Sequence, residues 1–172
     1  RVKMPPFRVQ RGQGAFADCM AALNGQGLAG PLREWLAADR PFFGICIGYQ
    51  VLFEGGEENP GIPGLGILRG QVVKFPSRPG LKVPHMGWNT VRPAVPESPA
   101  WASLGPAPYF YYVHSYYPEP QDAGVIAGTT DYAGISFAAA VQRGRMIATQ
   151  FHPEKSQATG LTLLGNFLTA HA

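Results

Sequence analysis

The apolar run Pro41-Phe42-Phe43-Gly44-Ile45 passes without a break into Cys46 and then into Ile47-Gly48-Tyr49-Gln50-Val51-Leu52-Phe53. A short unbroken apolar run is what a strand buried on both faces requires, so a central strand of an α/β sheet is predicted here. The periodic stretch after Cys46 predicts a helix. At the junction stands Gly44-Ile45-Cys46-Ile47-Gly48, of the form G-x-nucleophile-x-G. A sharp strand-to-helix turn forces its central residue into a strained conformation and pushes that side chain out at the sheet edge. Small flanking residues are then expected, because the chain segments approach closely there. On this geometry the backbone N–H of Ile47 faces a developing oxyanion, and the positive end of the helix is expected to lower the thiol pKa. A structural cysteine after a core strand is the plainer alternative, and the elbow alone leaves both open.

The elements around the elbow fit the same class. Residues 1–11 carry no helix or strand period, and Pro5-Pro6 blocks both. Phe16, Cys19, Met20 and Leu23 recur at helical spacing, and Pro31 opens a second short helix. From Gln71 onward the pattern changes to short β-branched or aromatic runs set off by Gly or Pro: QVVKF, WNTVR, YFYYV, GVIAGTT, ISFAAAV and MIATQF. The C-terminal TGLTLLGNFLTA predicts a helix with Leu161, Leu164 and Leu168 on one face. The expected fold is α/β, a central sheet flanked by helices with antiparallel strands in the second half. With 172 residues and no repeat or linker, a single domain spanning 1–172 is expected.

Composition narrows the function classes. Charged residues make up 15% of the chain, below the usual ~25%, which favours a subunit that buries surface against a partner. The net charge is +3, and the basic residues are scattered, so a nucleic-acid binder is not expected. There is no apolar run of ~18 residues for a membrane span and no signal segment. Cys19 and Cys46 lie in different contexts and suggest no disulfide, which points to a reducing cytoplasmic setting.

Near the other end stands Phe151-His152-Pro153-Glu154-Lys155-Ser156. In extended chain, residues two apart share a face, so His152 and Glu154 can lie side by side. A carboxylate on one ring nitrogen fixes the imidazole tautomer and frees the other nitrogen to act on a thiol. Alone, this segment reads as a surface histidine at a strand end. With a strained cysteine elbow in the same chain, a nucleophile and base are the better account. The order Cys, His, Glu excludes an ordinary α/β-hydrolase, in which the acid precedes the histidine.

These residues resemble a class I triad glutamine amidotransferase. Cys46-Ile47-Gly48-Tyr49-Gln50 is similar to that family's nucleophile motif, and His152-Pro153-Glu154 to its base and acid. Pro84-His85-Met86-Gly87-Trp88-Asn89, Tyr112-Val113-His114-Ser115-Tyr116 and the HPEKS ending resemble the glutaminase subunits of imidazole glycerol phosphate synthase. The resemblance runs from about Gly12 to the C-terminus. It implies the class I amidotransferase fold, with a central, mostly parallel sheet, and a Cys46-His152-Glu154 triad that releases ammonia from glutamine. It implies an oxyanion hole formed by Gln13, Gly14 and Ile47, and glutamine held by Gln50, Glu58, Ser115 and Tyr116. Met86, Trp88 and Lys155 match positions facing the synthase partner, a (β/α)₈ barrel cyclase acting in histidine biosynthesis. No metal or other cofactor is implied.

One departure stands out. The family places a βαβ unit of ~30 residues before its oxyanion segment, whereas eleven residues precede Gly12 here, and Arg11 replaces the family's proline. An N-terminal βαβ unit is therefore expected to be missing. Two alternatives stay open: the glutaminase subunit of another amidotransferase, and a catalytically idle relative that only binds a partner.

Overall fold

A computed structural model describes residues 15–171. The expectations for residues 1–11 and for Gln13 and Gly14 lie outside the described residues. The elements run in the order α1 (Ala15–Gly25), α2 (Ala29–Ala37), β1 (Phe42–Ile45), α3 (Ile47–Gln50), β2 (Gly55–Gly56), β3 (Gly70–Lys74), β4 (His85–Thr90) and β5 (Arg92–Pro93). They continue with β6 (Tyr109–His114), β7 (Tyr116–Pro120), β8 (Ile126–Tyr132), β9 (Ile135–Arg143), β10 (Met146–Thr149) and α4 (Gln157–Ala170).

The central sheet has the order β1-β10-β9-β8-β5. Strands β1 and β10 run parallel, in register from Phe42↔Met146 to Ile45↔Thr149. The other three pairings of this sheet are antiparallel. Among the described residues the antiparallel share is larger than expected, and the connections explain it. A parallel pair needs a long crossover, whereas β8 joins β9 through two residues only. Those residues, Ala133 and Gly134, both have positive φ (52° and 79°), the backbone of the tight hairpin turn that suits strand twist. Two smaller sheets, β2-β3-β7 and β4-β6, hold the other described strands.

Strand β10 is buried at all four positions, in keeping with its apolar Met-Ile-Ala run, and the Thr149 hydroxyl is satisfied by donating to Phe151 O at 3.0 Å. Its side chains alternate between two cores. Met146 and Ala148 join Phe16, Met20, Leu36 and Tyr49 beneath α1, α2 and α3, while Ile147 joins Phe151, Leu163 and Phe167 beneath α4. The sheet is thus covered on both faces, which is the expected α/β layering.

The stripe expected on α4 is corrected. Its buried residues are Gly160, Leu163 and Phe167, and Leu161 and Leu168 are exposed. The sequence holds two overlapping apolar periods, and close packing chooses between them. A Cβ built on Gly160 falls 1.8 Å from the Pro153 carbonyl oxygen, so only glycine lets this face approach the 153–156 turn.

Candidate functional site

The parallel register of β1 and β10 brings their carboxyl ends to one edge of the sheet, where open α/β sheets place their ligands. Ile45 pairs with Thr149, and the next backbone N–H, that of Cys46, donates to the Thr149 carbonyl at 2.8 Å. Cys46 therefore leaves the sheet beside Gln150, with His152 two residues further along the neighbouring chain.

Cys46 has φ 51° and ψ −104°, a conformation that side chains with a Cβ rarely adopt. The sharp turn expected of the elbow is present, and Gly44 is required by it. A Cβ on Gly44 would lie 2.9 Å from the Gly48 carbonyl oxygen and 3.1 Å from Ala148 Cβ. Gly48 is different: a Cβ there meets nothing within 4 Å, so the second small residue of the pattern answers no close approach. The helix after Cys46 is also shorter than its period suggested, a single turn from Ile47 to Gln50. Chain turns then tie it back, with Leu65 N–H donating to Val51 O at 2.7 Å.

The expected lowering of the thiol pKa is not found. Burial pushes Cys46 up to about 11, a one-turn helix offers little dipole, and the Glu154 carboxylate adds to the rise. Opposing it are the Ile47 N–H, the Lys155 charge and the Gln150 amide.

His152 and Glu154 do lie side by side, but through a different backbone from the one expected. His152 is extended, whereas Glu154 sits on a 3-10 turn, Pro153–Lys155, that curls its carboxylate back to the ring. The His152 Nδ1 to Glu154 Oε1 distance is 2.7 Å. A carboxylate only accepts, so Nδ1 carries a hydrogen, which in a neutral ring leaves the lone pair on Nε2. His152 Nε2 is buried and has no hydrogen-bond partner among the described residues. The turn is anchored by Ser156, which is fully buried. Its hydroxyl donates to His152 O at 2.6 Å and accepts from Tyr111 N–H at 2.9 Å.

The positions expected to hold substrate fall into two groups. Gln50 is buried, and its Nε2 donates to Tyr116 O at 2.9 Å and to Gln150 Oε1 at 3.0 Å. Ser115 joins β6 to β7 and Tyr116 opens β7, next to this amide pair. Glu58 lies elsewhere in the hydrogen-bond pattern: its Oε2 accepts from Phe16 N–H at 3.0 Å in the first turn of α1. A carboxylate there satisfies a free helix donor and faces the positive end of the dipole.

The candidates for a partner face are exposed. Met86 and Trp88 project from one side of β4 at 61% and 48% exposure, which removes Trp88 from the core. Trp88 pairs with Tyr111 on β6, whose strand carries the Ser156 anchor, so the exposed Lys155 lies on the turn beside that face.

Sequence reasoning missed the other side of β4. His85 and His114 are buried, and His85 Nδ1 lies 2.9 Å from His114 Nε2. His114 Nδ1 faces Tyr116 O at 2.8 Å, so that nitrogen carries hydrogen. Nε2 then accepts from His85 Nδ1–H, and both rings are neutral. Alternation along the paired strands was the available signal, since 85 and 114 are register partners. Burial holds His85 down to about 4 and His114 down to about 3, against 6.5 for a free imidazole. Because both folded values are depressed, the unfolded chain binds more protons below pH 6.5, and stability is lost as pH falls toward 4. The melting temperature should fall by roughly 5 °C or more between about pH 7 and pH 4.5, and His114→Gln should flatten that dependence. An equal drop in His114→Gln would assign the acid sensitivity elsewhere.

Comparison with known proteins decides the family. Residues 21–170 match the family described as "Glutamine amidotransferase class-I". The imidazole glycerol phosphate synthase subunit HisH of Methylococcus capsulatus is 50% identical, over 91% of this chain and 74% of its own. That of Deinococcus radiodurans is also 50% identical, over 94% and 74%. The chain belongs to the class I glutamine amidotransferases, in the HisH family. The fold agrees. A glutamine amidotransferase crystal structure shares it with a TM-score of 0.64 at 18% identity, covering 90% of this chain and 75% of that one. PurLQS from Thermotoga maritima gives 0.65 at 16% identity, covering 84% and 68%. Among the described residues, no helix is long and apolar enough to cross a membrane.

Proposed function

We propose that this chain hydrolyses glutamine to glutamate and ammonia and passes the ammonia to the cyclase subunit of imidazole glycerol phosphate synthase, in histidine biosynthesis. The observation that carries this reading is the pairing of a positive-φ Cys46 elbow with an imidazole whose Nδ1 is bound to Glu154 and whose buried Nε2 has no hydrogen-bond partner among the described residues. In the proposed reaction, His152 Nε2 takes the Cys46 proton and the sulfur attacks the glutamine carboxamide carbon. The Ile47 N–H, with donors from Gln13 and Gly14, stabilises the resulting oxyanion. Collapse breaks the C–N bond, and the imidazolium gives its proton to the leaving nitrogen, releasing ammonia. Water then adds to the thioester as His152 takes its proton, the C–S bond breaks and glutamate leaves.

Gln50, Glu58, Ser115 and Tyr116 are assigned to the glutamine pocket, with Gln50 acting from within a buried amide pair. The partner face is assigned to Met86, Trp88 and Lys155, and the partner to a (β/α)₈ cyclase in a cytoplasmic heterodimer. Mixing the chain with such a cyclase should yield glutamine-dependent synthesis. Failure of the two to associate would remove the partner assignment. Trp88→Ala should weaken association by about 2 kcal/mol, roughly thirtyfold in Kd. The fold should barely change, because the indole is 48% exposed. Unfolding of the variant with unaltered affinity would argue against the assignment.

A further inference from the structure

Gln150 follows the last residue of β10 and is wholly buried, yet the proposed chemistry gives it no part. Its Nε2 lies 3.7 Å from Cys46 Sγ, within hydrogen-bond reach of a sulfur acceptor. A primary amide can offer either its oxygen or its nitrogen, and here the choice is forced from two residues away. The Tyr116 carbonyl can only accept, and it stands 2.9 Å from the Gln50 amide, which must therefore turn its NH₂ toward it. The same NH₂ lies 3.0 Å from the Gln150 amide, which must answer with its oxygen. Only the Gln150 NH₂ is then left to face the sulfur. The reverse orientation would set NH₂ against NH₂ and a carbonyl oxygen against sulfur. Gln50 and Gln150 are 5% and 0% exposed, so water cannot repair such a mismatch.

We infer that Gln150 is a catalytic residue whose amide N–H holds the Cys46 thiolate, and that Gln50 is the positioning residue that fixes the direction of that amide. This rests on Cys46 being the nucleophile. A donor to an ionised sulfur in a nearly dry site is a charge-assisted bond, stronger than the same contact to a neutral thiol. It therefore favours the reactive form selectively. Burial and the Glu154 carboxylate both oppose the thiolate, and among the described residues Ile47 N–H, Lys155 and Gln150 counter them.

The test is the pH dependence of iodoacetamide alkylation at Cys46, followed by mass spectrometry so that Cys19 is counted separately. Alkylation joins sulfur to carbon with loss of iodide, and its rate follows the thiolate fraction. Gln150→Met, of similar length but without a donor, should raise the apparent pKa by about one pH unit and slow alkylation about tenfold near pH 8. Gln150→Glu keeps an oxygen for Gln50 and places carboxyl oxygen on the sulfur, so the rise should be at least as large. Gln50→Met, which frees the Gln150 amide, should give a smaller rise in the same direction. Cys19 should react as before in all three, which a general loosening of the fold would not allow. An unchanged Cys46 profile in any folded Gln150 variant overturns the role of Gln150, and if both variants fail to fold, an unchanged profile in Gln50→Met does so. Error in the nucleophile assignment would show up separately, as glutaminase activity retained by Cys46→Ser.

Discussion

Cys46→Ser should abolish glutamine-dependent activity, by roughly 10⁴-fold or more, while the assembled enzyme still accepts added ammonia. Serine fits the elbow, so the backbone at φ 51° and the Cys46 N–H bond to Thr149 O should persist. What is lost is the sulfur. A hydroxyl is a much weaker acid than a thiol, so the anion that attacks the carboxamide is reached far less readily. Ammonia-dependent synthesis bypasses the thioester altogether and should be untouched, which separates lost chemistry from lost folding or assembly. Cys19→Ser is the internal control, because Cys19 packs against the α1 core cluster and should matter little. Glutamine turnover that survives Cys46→Ser, measured with the partner present, would end the thioester mechanism.

Gly160→Ala should be the most damaging single-methyl change near the site. The new Cβ would fall 1.8 Å from Pro153 O, 2.6 Å from Pro153 C and 2.9 Å from Ser156 Cβ, whereas real Cβ contacts essentially never fall below 3.0 Å. Helix α4 and the 153–156 turn must therefore separate by more than about 1 Å at that point. The turn carries Glu154, and Ser156 locks it to His152 O and to Tyr111 N–H, so the displacement reaches the imidazole. Overpacking of this kind costs ~1–3 kcal/mol or more, a drop of roughly 4–10 °C in Tm. A misplacement of about 1 Å costs ~10²-fold in rate. Gly165→Ala in the same helix is the contrast. Its Cβ meets nothing within 4 Å, and replacing glycine in a helix interior is stabilising by up to ~1 kcal/mol. Equal Tm values for the two variants, or full activity in Gly160→Ala, would show that the contact yields without cost.

The sequence by itself determined the strand Phe42–Ile45, the elbow at Cys46 and the helix Ala15–Gly25. Each follows from short-range geometry: an unbroken apolar run, glycine at a strained turn, or a 3.6-residue period, whereas His152 meets Glu154 through a 3-10 turn that extended-chain reasoning did not foresee. Only the tertiary structure decided the rest, because those outcomes depend on what lies opposite. The C-terminal helix offers two apolar stripes, and the close approach at Gly160 selects the one with Leu163 and Phe167. The thiol expected to be acidic is pushed up to about 11, because desolvation is set by surrounding chain and outweighs a single helical turn. Gln150 and Gln50 stand 100 residues apart in sequence, as do no two members of any local motif. The parallel pairing of β1 with β10 brings them together, and the direction of each amide is fixed by a Tyr116 carbonyl that belongs to neither strand.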